Sequence, residues 1–303
     1  MNSSSKVRVA VLRGGPSSEY DVSLKSGEQI LSHLRDMPEA YEPLDLFISR
    51  GGEWHRNGLV EDPHRALRHV DVVWNALHGS YGEDGQVQKL LTSLHIPFTG
   101  SGAFASALSM DKDMTKRLYR QHSLLTPTHE LITENNLNDG LLINIFRNYL
   151  HPVIVKPSSG GSSIGMHLAY SFGELEEAIK EAFKHSNRVL VEEYIRGTEA
   201  SCIVLDEAKG EKIYAFLPAG RIKLRLTTDE GKQIEDMARL AHQSLGLRHY
   251  SSSDFIITPK RKIYILETNS LPALHENSLA HNSFKATGWR PRDFVDHILK
   301  LAM

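Results

Sequence analysis

Buried strands that end in glycine alternate with helices along the first third of the chain, and this alternation limits the fold more than any other feature. Residues 7–15 read VRVAVLRGG, a β-branched and apolar run stopped by two glycines, which is typical of a buried parallel strand that leads into a tight turn. A helix is predicted over 21–34, and further strands are predicted at LDLFIS and HVDVVWNALHG. Strands that alternate with helices predict a wound α/β domain.

The chain is expected to divide into three parts. Its 303 residues are more than one domain of typical size contains. The sequence pattern changes at Asp111, where a basic amphipathic helix begins that is expected to end at Pro127. The strands PVIVKP and RVLVEEYI, with an acidic helix between them, then predict a small α+β unit. We predict an N-terminal α/β domain over 1–110, a central unit over 111–195 and a C-terminal unit over 196–303.

The third part carries a local concentration of positive charge. In GRIKLRLT three cations alternate with apolar residues, so a strand would place all three cations on one face, which would favour anions. A helix should follow from a capping box at Thr227 and Glu230, and DFIIT and KIYILETN predict a hairpin. The three cations of this cationic segment are Arg221, Lys223 and Arg225.

Composition excludes several classes of function. Lys plus Arg, at 35, nearly balances Asp plus Glu, at 37, so no bulk attraction to nucleic acid or to an anionic membrane is expected. The single Cys202 lies in a predicted buried strand and is typical of a reducing compartment. No signal segment and no apolar stretch of bilayer length is evident in the sequence, so we expect a cytoplasmic protein.

The segment VIVKPSSGGSSIG is the most informative motif. Lys156 closes a predicted strand, and the flexible loop from Pro157 to Gly165 offers closely spaced backbone N–H groups and hydroxyls. Glycines permit the backbone dihedrals that turn successive amides toward one anion. The spacing is not that of a Walker A motif, and such loops are also common as linkers or hairpin turns. Phosphate binding and a plain turn both remain open from this motif alone.

A second motif predicts a metal site on the hairpin. Asp254 lies on one strand, and Glu267 and Asn269 lie two residues apart on the other, so both point to the same face. Three oxygen ligands from adjacent strands form the donor set that magnesium prefers. The alternative is an exposed polar sheet face, but an acid after the apolar run IYIL is costly to bury without a cation.

Two loops that follow predicted strands are candidate substrate sites. In RGGPSSEYDVS the amides of a helix N-terminus would favour a carboxylate, while Glu19 would hold an ammonium group. A dinucleotide-binding turn is less well supported, because G-x-G-x-x-G is absent. In NALHGSYGEDG the glycine-rich loop carries His78 and Glu83, at a place where α/β proteins often bind ligands. The same residues also fit an ordinary turn with no function in binding.

Six motifs occur in the order known from one family. They are GGPSSEYDVSL, NALHGSYGEDG, IPFTGSGAFASALSMDK, VKPSSGGSSIG, VEEYIRGTE and LETNSLP. Together they resemble the motifs of D-alanine–D-alanine ligases and cover nearly the whole chain. The resemblance implies a three-domain ATP-grasp fold and an ATP-dependent carboxylate–amine ligase that makes a dipeptide for peptidoglycan precursors.

The resemblance also implies a role for individual residues. ATP would lie between the central and C-terminal units, with Lys112 and Lys156 on its phosphates and the loop around Ser162, a catalytic residue, closing over them. The adenine would meet the hinge at Glu192 and Glu193, and the ribose would meet Glu199.

Metal and amino-acid ligands follow in the same way. The resemblance implies that Asp254, Glu267 and Asn269 bind two Mg²⁺ ions, or Mn²⁺ in their place. Glu19 would hold the amine of the first amino acid and take part in catalysis. The remaining residues implied are His78 on the substrate-side loop, Ser278 for the second carboxylate, and the backbone near Ala273 for the tetrahedral oxyanion. Small amino acids are the expected partners, and a homodimer is common in the family.

Three departures from the family pattern affect the acceptor substrate. Ser252 stands where the family has an arginine that supports the oxyanion and phosphate, and loss of one such group costs on the order of 100-fold in rate. The lid over the substrates is expected to be reduced to the residues between Arg225 and Asp229. Ala273 replaces a glycine, with His275 two positions beyond it. We hypothesise that one cation of the cationic segment replaces the missing arginine.

Two alternatives to a D-alanyl-D-alanine ligase follow from these departures. One is a nucleotide-binding module that has lost catalysis, and the other is an ATP-grasp ligase for a different carboxylate and amine. The complete set of metal ligands and phosphate lysines favours an enzyme.

Overall fold

The computed structural model describes residues 6–161, 164–220, 224–275 and 278–303. Three β-sheets organise this part of the chain. Each sheet lies within one of the three predicted ranges, 1–110, 111–195 and 196–303. The boundaries themselves stay a prediction, because helices from one range pack against the sheets of another.

The first sheet has five strands in the order β4-β3-β2-β1-β5. β1 pairs in parallel with β2 and β5, while β3 and β4 extend the edge in antiparallel fashion. These pairings confirm the wound α/β prediction. The strands are β1 (Val7–Gly14), β2 (Tyr41–Ile48), β3 (Trp54–Arg56), β4 (Leu59–Glu61) and β5 (Val72–Asn75), and the helices are α1 (Tyr20–Arg35), α2 (Pro63–Ala66), α3 (Gln86–Ser93) and α4 (Ala103–Met110).

β1 is buried because both faces of the first sheet are covered. Val9, Ala10, Val11 and Leu12 are each 0% exposed, as an apolar run in the middle of a parallel sheet requires. The strand ends at Gly14, where φ is +92° and a Cβ would lie 2.2 Å from the Ile48 carbonyl oxygen. Only glycine fits this turn without displacement of backbone, so the predicted stop is confirmed.

The second sheet is antiparallel, in the order β6-β9-β7-β8. Its core lies against α6 and α7, which cover one face. α5 ends at Gln121, before the predicted stop at Pro127, and α6 follows a polar segment for which no helix was predicted. The elements are α5 (Lys112–Gln121), β6 (His129–Thr133), α6 (Asp139–Asn148), β7 (Val153–Pro157), β8 (His167–Ala169), α7 (Phe172–Phe183) and β9 (Arg188–Glu193).

The third sheet is also antiparallel, in the order β11-β10-β12-β13. The hairpin of β12 and β13 and the capping box at Thr227 and Glu230 are both confirmed. Cys202 on β10 is 0% exposed, as expected of a core residue. The elements are β10 (Thr198–Ala208), β11 (Glu211–Ala215), α8 (Thr228–Ser244), β12 (Tyr250–Ile257), β13 (Ile263–Asn269), α9 (Leu279–Thr287) and α10 (Pro291–Ala302).

The predicted strand GRIKLRLT is wrong where the structure describes it. Arg221 and Lys223 lie outside the described residues, and residues 224–227 have no strand structure. Leu224 and Leu226 instead pack against the core beneath α8. The alternation of apolar and charged residues therefore serves to dock the segment that leads into the helix, and not to extend a sheet.

Packing between the sheets holds the three parts together. α10 joins the apolar core that spans the first and third sheets, and the Tyr41 hydroxyl donates to Asp296 at 2.8 Å. Tyr119 of α5 is 0% exposed within the core of the third sheet. Every helix in the described part of the chain is too short or too polar to cross a lipid bilayer.

Candidate active site in the cleft between two sheets

A cleft of about 630 Å³ lies between the second and third sheets. One wall comes from β7, β9 and the loop after β7, and the other comes from β10, β12 and β13. Of the residues predicted to bind ATP or metal, six line this cleft. They are Lys112, Lys156, Glu192, Glu199, Asp254 and Glu267.

Lys112 reaches the cleft from the first turn of α5. Asp111 caps the helix by accepting hydrogen bonds from the backbone N–H groups of Asp113 and Met114 at 3.1 Å each, which satisfies donors that a helix start leaves unpaired. The Lys112 ammonium donates to the carbonyl oxygen of Gly160 at 2.5 Å and lies 3.8 Å from a carboxylate oxygen of Glu267. Lys112 thus lies between the glycine loop and β13.

Lys156 at the end of β7 is held by a buried carboxylate. Its ammonium lies 2.5 Å from Oε1 of Glu192, and the Lys116 ammonium lies 3.1 Å from Oε2 of the same group. Burial alone would raise the pKa of Glu192, but the charges of Lys116 and Lys156 outweigh burial and lower it to about 2. Burial lowers the pKa of the Lys116 ammonium to about 8.

The glycine loop lies close to Glu19. Gly160 has φ of +107°, and a Cβ on Gly161 would lie 2.2 Å from Oε1 of Glu19. The backbone N–H of Lys112 donates to the Ser158 carbonyl at 2.8 Å, which fixes the base of the loop. Ser162, the predicted catalytic hydroxyl, lies outside the described residues.

The predicted metal ligands share one face of the β12–β13 hairpin. Asp254 pairs directly with Glu267, and Ser252 pairs with Asn269, so all four project to the same side. Burial opposes ionisation of Glu267, but Lys112 and Lys156 outweigh it and keep the pKa of its carboxyl below the ordinary value. The Asn269 amide oxygen accepts from the Leu271 N–H at 2.9 Å.

This donor set fits a divalent cation. Two carboxylates and one amide on adjacent strands present oxygen atoms to one side, and oxygen is the ligand atom that Mg²⁺ prefers. Glu267 is ionised at neutral pH, as a metal ligand must be. Asp254 and Glu267 line the cleft, while Asn269 is exposed at the end of β13.

Glu193 and Glu199 differ in position. Glu199, at the start of β10, is exposed and lines the cleft, so it remains available to a ligand. Glu193 follows Glu192 on β9 and therefore points to the opposite face, where its charge helps to raise the pKa of the Tyr149 hydroxyl to about 12, after the larger effect of burial. Glu193 is not among the residues that line the cleft.

Glu19, His78 and Glu83 come together on the first sheet. One ligand atom from each lies within 4.8 Å of the others. His78 is 3% exposed, with Nε2 at 2.9 Å from the Ser26 hydroxyl and Nδ1 at 3.4 Å from Glu83. The Glu83 carboxylate also accepts the Gly79 N–H at 2.9 Å. This acidic cluster can hold an ammonium group, as predicted for an amino-acid substrate.

Ser278 and Ala273 lie on the segment between β13 and α9. The Ser278 hydroxyl accepts the His281 N–H at 3.2 Å and so caps α9, a position where a carboxylate is favoured by the helix dipole. Ala273 is half-buried outside regular structure. Burial, together with the nearby charges of His78 and Lys25, lowers the pKa of His275, so this histidine is neutral at pH 7.

Two serines pair at the position where the resemblance implies an arginine. Ser252 is 8% exposed, and its hydroxyl lies 2.7 Å from the hydroxyl of Ser201 on β10. Ser201 also forms an isolated β-bridge with Ala219, which lies in the segment that connects β11 to α8. Of the cationic segment, only Arg225 is described, and it is exposed, with its backbone carbonyl accepting from Arg261 at 3.1 Å.

Sequence reasoning missed the buried residues that support the site. Lys116 was not singled out, although it lies one helical turn after Lys112 and the i, i+4 spacing was a usable signal. Tyr119 was missed as well, and its hydroxyl donates to Thr268 at 2.6 Å. This bond ties α5 to β13 between Glu267 and Asn269.

A cleft between two antiparallel sheets, lined by lysine ammonium groups and by carboxylates from both walls, is the arrangement of an ATP-grasp enzyme. Comparison with known proteins gives the family. The model described as D-ala D-ala ligase C-terminus matches residues 120–225 and 218–300, and the model described as D-ala D-ala ligase N-terminus matches residues 55–101. The chain belongs to the D-alanine–D-alanine ligase family, whose members are ATP-dependent ligases.

Individual relatives match over nearly their whole length. The D-alanine–D-alanine ligase of Clostridium beijerinckii is 32% identical, over 97% of this chain and 98% of its own. The D-alanine–D-alanine ligase B of Chromobacterium violaceum is 35% identical, over 96% of both chains. Among solved structures, the D-alanine–D-alanine ligase of Coxiella burnetii has a TM-score of 0.88 at 26% identity, covering 98% of this chain and 95% of its own.

Another solved structure with a similar fold is the VanG D-Ala:D-Ser ligase of Enterococcus faecalis. It has a TM-score of 0.86 at 25% identity and covers 98% of this chain and 100% of its own.

Proposed function

We propose that this protein joins two D-alanine molecules, or two closely related small amino acids, at the expense of ATP, and so supplies a dipeptide for peptidoglycan precursors in the cytoplasm. The observation that carries the proposal is the meeting of Lys112 and Lys156 with Asp254 and Glu267 in one cleft. Full-length similarity to D-alanine–D-alanine ligases supports the choice of substrate.

The nucleotide is proposed to lie along the cleft with its phosphates toward Lys112 and Lys156. Glu199 is available for the ribose, and the backbone at Glu192 and Glu193 for the adenine. Ser162 belongs to the loop that would close over the phosphates, and the approach of Gly161 to Glu19 supports such a closure.

Asp254, Glu267 and Asn269 are the residues that would hold two Mg²⁺ ions, or Mn²⁺ in their place. When bound, such ions would neutralise the charge that the phosphates carry during transfer. The ammonium groups of Lys112 and Lys156 supply fixed positive charge to the same phosphates from the opposite wall.

The proposed reaction has two balanced steps. A carboxylate oxygen of the first amino acid, with its amine at Glu19 and near His78, attacks the γ-phosphorus, and the bond to the β-phosphate oxygen breaks to release ADP. The uncharged amine of the second amino acid then attacks the acyl-phosphate carbonyl. Inorganic phosphate leaves, and the amine loses a proton. In this proposal the Ser278 hydroxyl would bind the second carboxylate, and backbone near Ala273 would bind the oxyanion.

A ligase for a different second substrate is the main alternative, and it is favoured by one observation. The family's arginine position holds the Ser252–Ser201 hydroxyl pair, which changes the charge that the acceptor meets. The fold accommodates more than one acceptor, since one neighbour is a D-Ala:D-Ser ligase. We also propose a homodimer, on family resemblance alone.

Incubation with ATP, Mg²⁺ and a panel of D- and L-amino acids tests the proposal. We expect release of phosphate with D-alanine and formation of a dipeptide detected by mass spectrometry. A dipeptide from another pair of amino acids would favour the alternative ligase. Binding of ATP without phosphate release across the whole panel would favour a nucleotide-binding module that has lost catalysis.

A further inference from the structure

The least expected group near the cleft is a cation with no access to solvent. Lys116, on α5 one turn after Lys112, is 0% exposed. Its ammonium donates to the Thr126 hydroxyl at 3.0 Å and lies 3.1 Å from Oε2 of Glu192. Removing an ammonium group from water is costly even when it is paired. An apolar side chain would fill the same space without that cost, so packing alone does not account for a charged group at this position.

The role of the Lys116 charge follows from Lys156, which pairs with the other carboxylate oxygen of Glu192. Glu192 Oε1 lies 2.5 Å from Lys156, whose ammonium lines the cleft. If Glu192 had Lys156 as its only partner, one carboxylate would cancel one ammonium. With Lys116 on the other oxygen, two ammonium groups share one carboxylate, and the trio carries a net charge of +1.

We infer that Lys116 is a positioning residue for the nucleotide: it offsets Glu192 from behind, so that the charge of Lys156 remains available to the triphosphate. This inference rests on the proposed binding of ATP in the cleft. Glu192 then acts as a rigid support that fixes the Lys156 ammonium without neutralising it. Lys116 acts on the phosphates only through Glu192, because its ammonium is buried between Thr126 and Glu192.

Charge compensation distinguishes this role from a contribution to folding. In Lys116→Met the Glu192 carboxylate would neutralise Lys156 fully, and we expect the Mg²⁺ complex of adenylyl imidodiphosphate to bind about tenfold more weakly. In the double variant Lys116→Met/Glu192→Gln the opposing carboxylate is also gone, so Lys156 regains its net charge. We expect the double variant to recover most of the lost affinity.

Isothermal titration calorimetry on the wild type and both variants measures these affinities, with thermal melting to verify folding. Adenosine is the matched probe, because it lacks phosphates and its affinity should not change in Lys116→Met. In kinetics, KM for ATP should rise more than kcat falls. Lys180→Met, at an exposed position of α7, is the control for loss of a lysine elsewhere.

Two results would overturn the inference. One is equal nucleotide affinity in Lys116→Met and in the wild type, and the other is a double variant that binds no better than Lys116→Met although both are folded. A wild-type protein that binds no nucleotide would instead contradict the proposed function. The two failures are therefore separable.

Discussion

On the phosphate side of the cleft, comprising Lys112, Lys116, Lys156 and Glu192, every charged group has a charged or carbonyl partner within 4 Å. On the acceptor side, the position of a family arginine is taken by Ser252, whose hydroxyl meets Ser201 at 2.7 Å. The first side is a network of fixed charges and the second is a neutral pair.

This difference shows which half of the chemistry is fixed by the fold. Charges held in place before the reaction need no reorganisation when the phosphate moves, and such charges are present on the phosphate side. The segment 216–227, which connects β11 to α8, has no regular structure among its described positions. We therefore expect nucleotide handling to follow the family closely, and acceptor handling to be specific to this protein.

The largest expected effect is at the phosphate side. Lys156→Met removes the ammonium that Glu192 fixes, and we expect kcat/KM for ATP to fall on the order of 1,000-fold. Steady-state phosphate release gives the measurement. Lys184→Met, whose ammonium pairs with Glu181 on the surface, is the control and should retain full activity. Retention of activity by Lys156→Met would remove the basis of the comparison.

On the acceptor side we expect a smaller effect from the cationic segment. If one of Arg221, Lys223 and Arg225 replaces the family's arginine, its change to Met should lower kcat by about 100-fold with little change in KM for ATP. Each single variant is assayed with saturating ATP. Our hypothesis is wrong if all three variants turn over at the wild-type rate.

The approach of the glycine loop to the proposed site of the first amino acid can be tested by a substitution in the loop. Gly161→Ala places a Cβ 2.2 Å from Oε1 of Glu19, which must move the carboxylate proposed to hold the first amine. We expect KM for the first amino acid to rise about tenfold, measured from initial rates at fixed ATP. Gly173→Ala, with no atom within 4 Å of the new Cβ, is the matched control. An unchanged KM would mean that the loop and Glu19 act independently.

The smallest effect concerns stability in acid. The pKa of Glu192 falls from an ordinary 4.5 to about 2 in the folded protein, so the carboxylate stabilises the fold above pH 4.5 and this contribution is lost as pH falls toward 2. Chemical unfolding at several pH values should therefore show a shallower decrease for Glu192→Gln than for the wild type. Parallel decreases in the two proteins would indicate that the lysines do not lower this pKa.

Much of the site was predictable because its signals are local. Lys156 lies near the end of a five-residue strand that begins with the apolar run Val-Ile-Val, and the shared face of Asp254 and Glu267 follows from the alternation of side chains along a hairpin. The segment GRIKLRLT has the same alternation but is not a strand where it is described, because its leucines pack under α8. Alternation of apolar and polar residues therefore indicates that one side of a segment is buried, and it does not require that the segment be a strand.

The sequence by itself determined the wound first domain, the hairpin and the oxygen-bearing side chains on its face, since these depend on neighbours within a few residues. Only the tertiary structure decided that Lys116 and Lys156 share the carboxylate of Glu192, because the three residues come from α5, β7 and β9. It also decided that Ser252 meets Ser201 across two strands. Burial and charge pairing between distant segments depend on how sheets and helices pack, and a local pattern of residues does not specify which distant side chains come into contact.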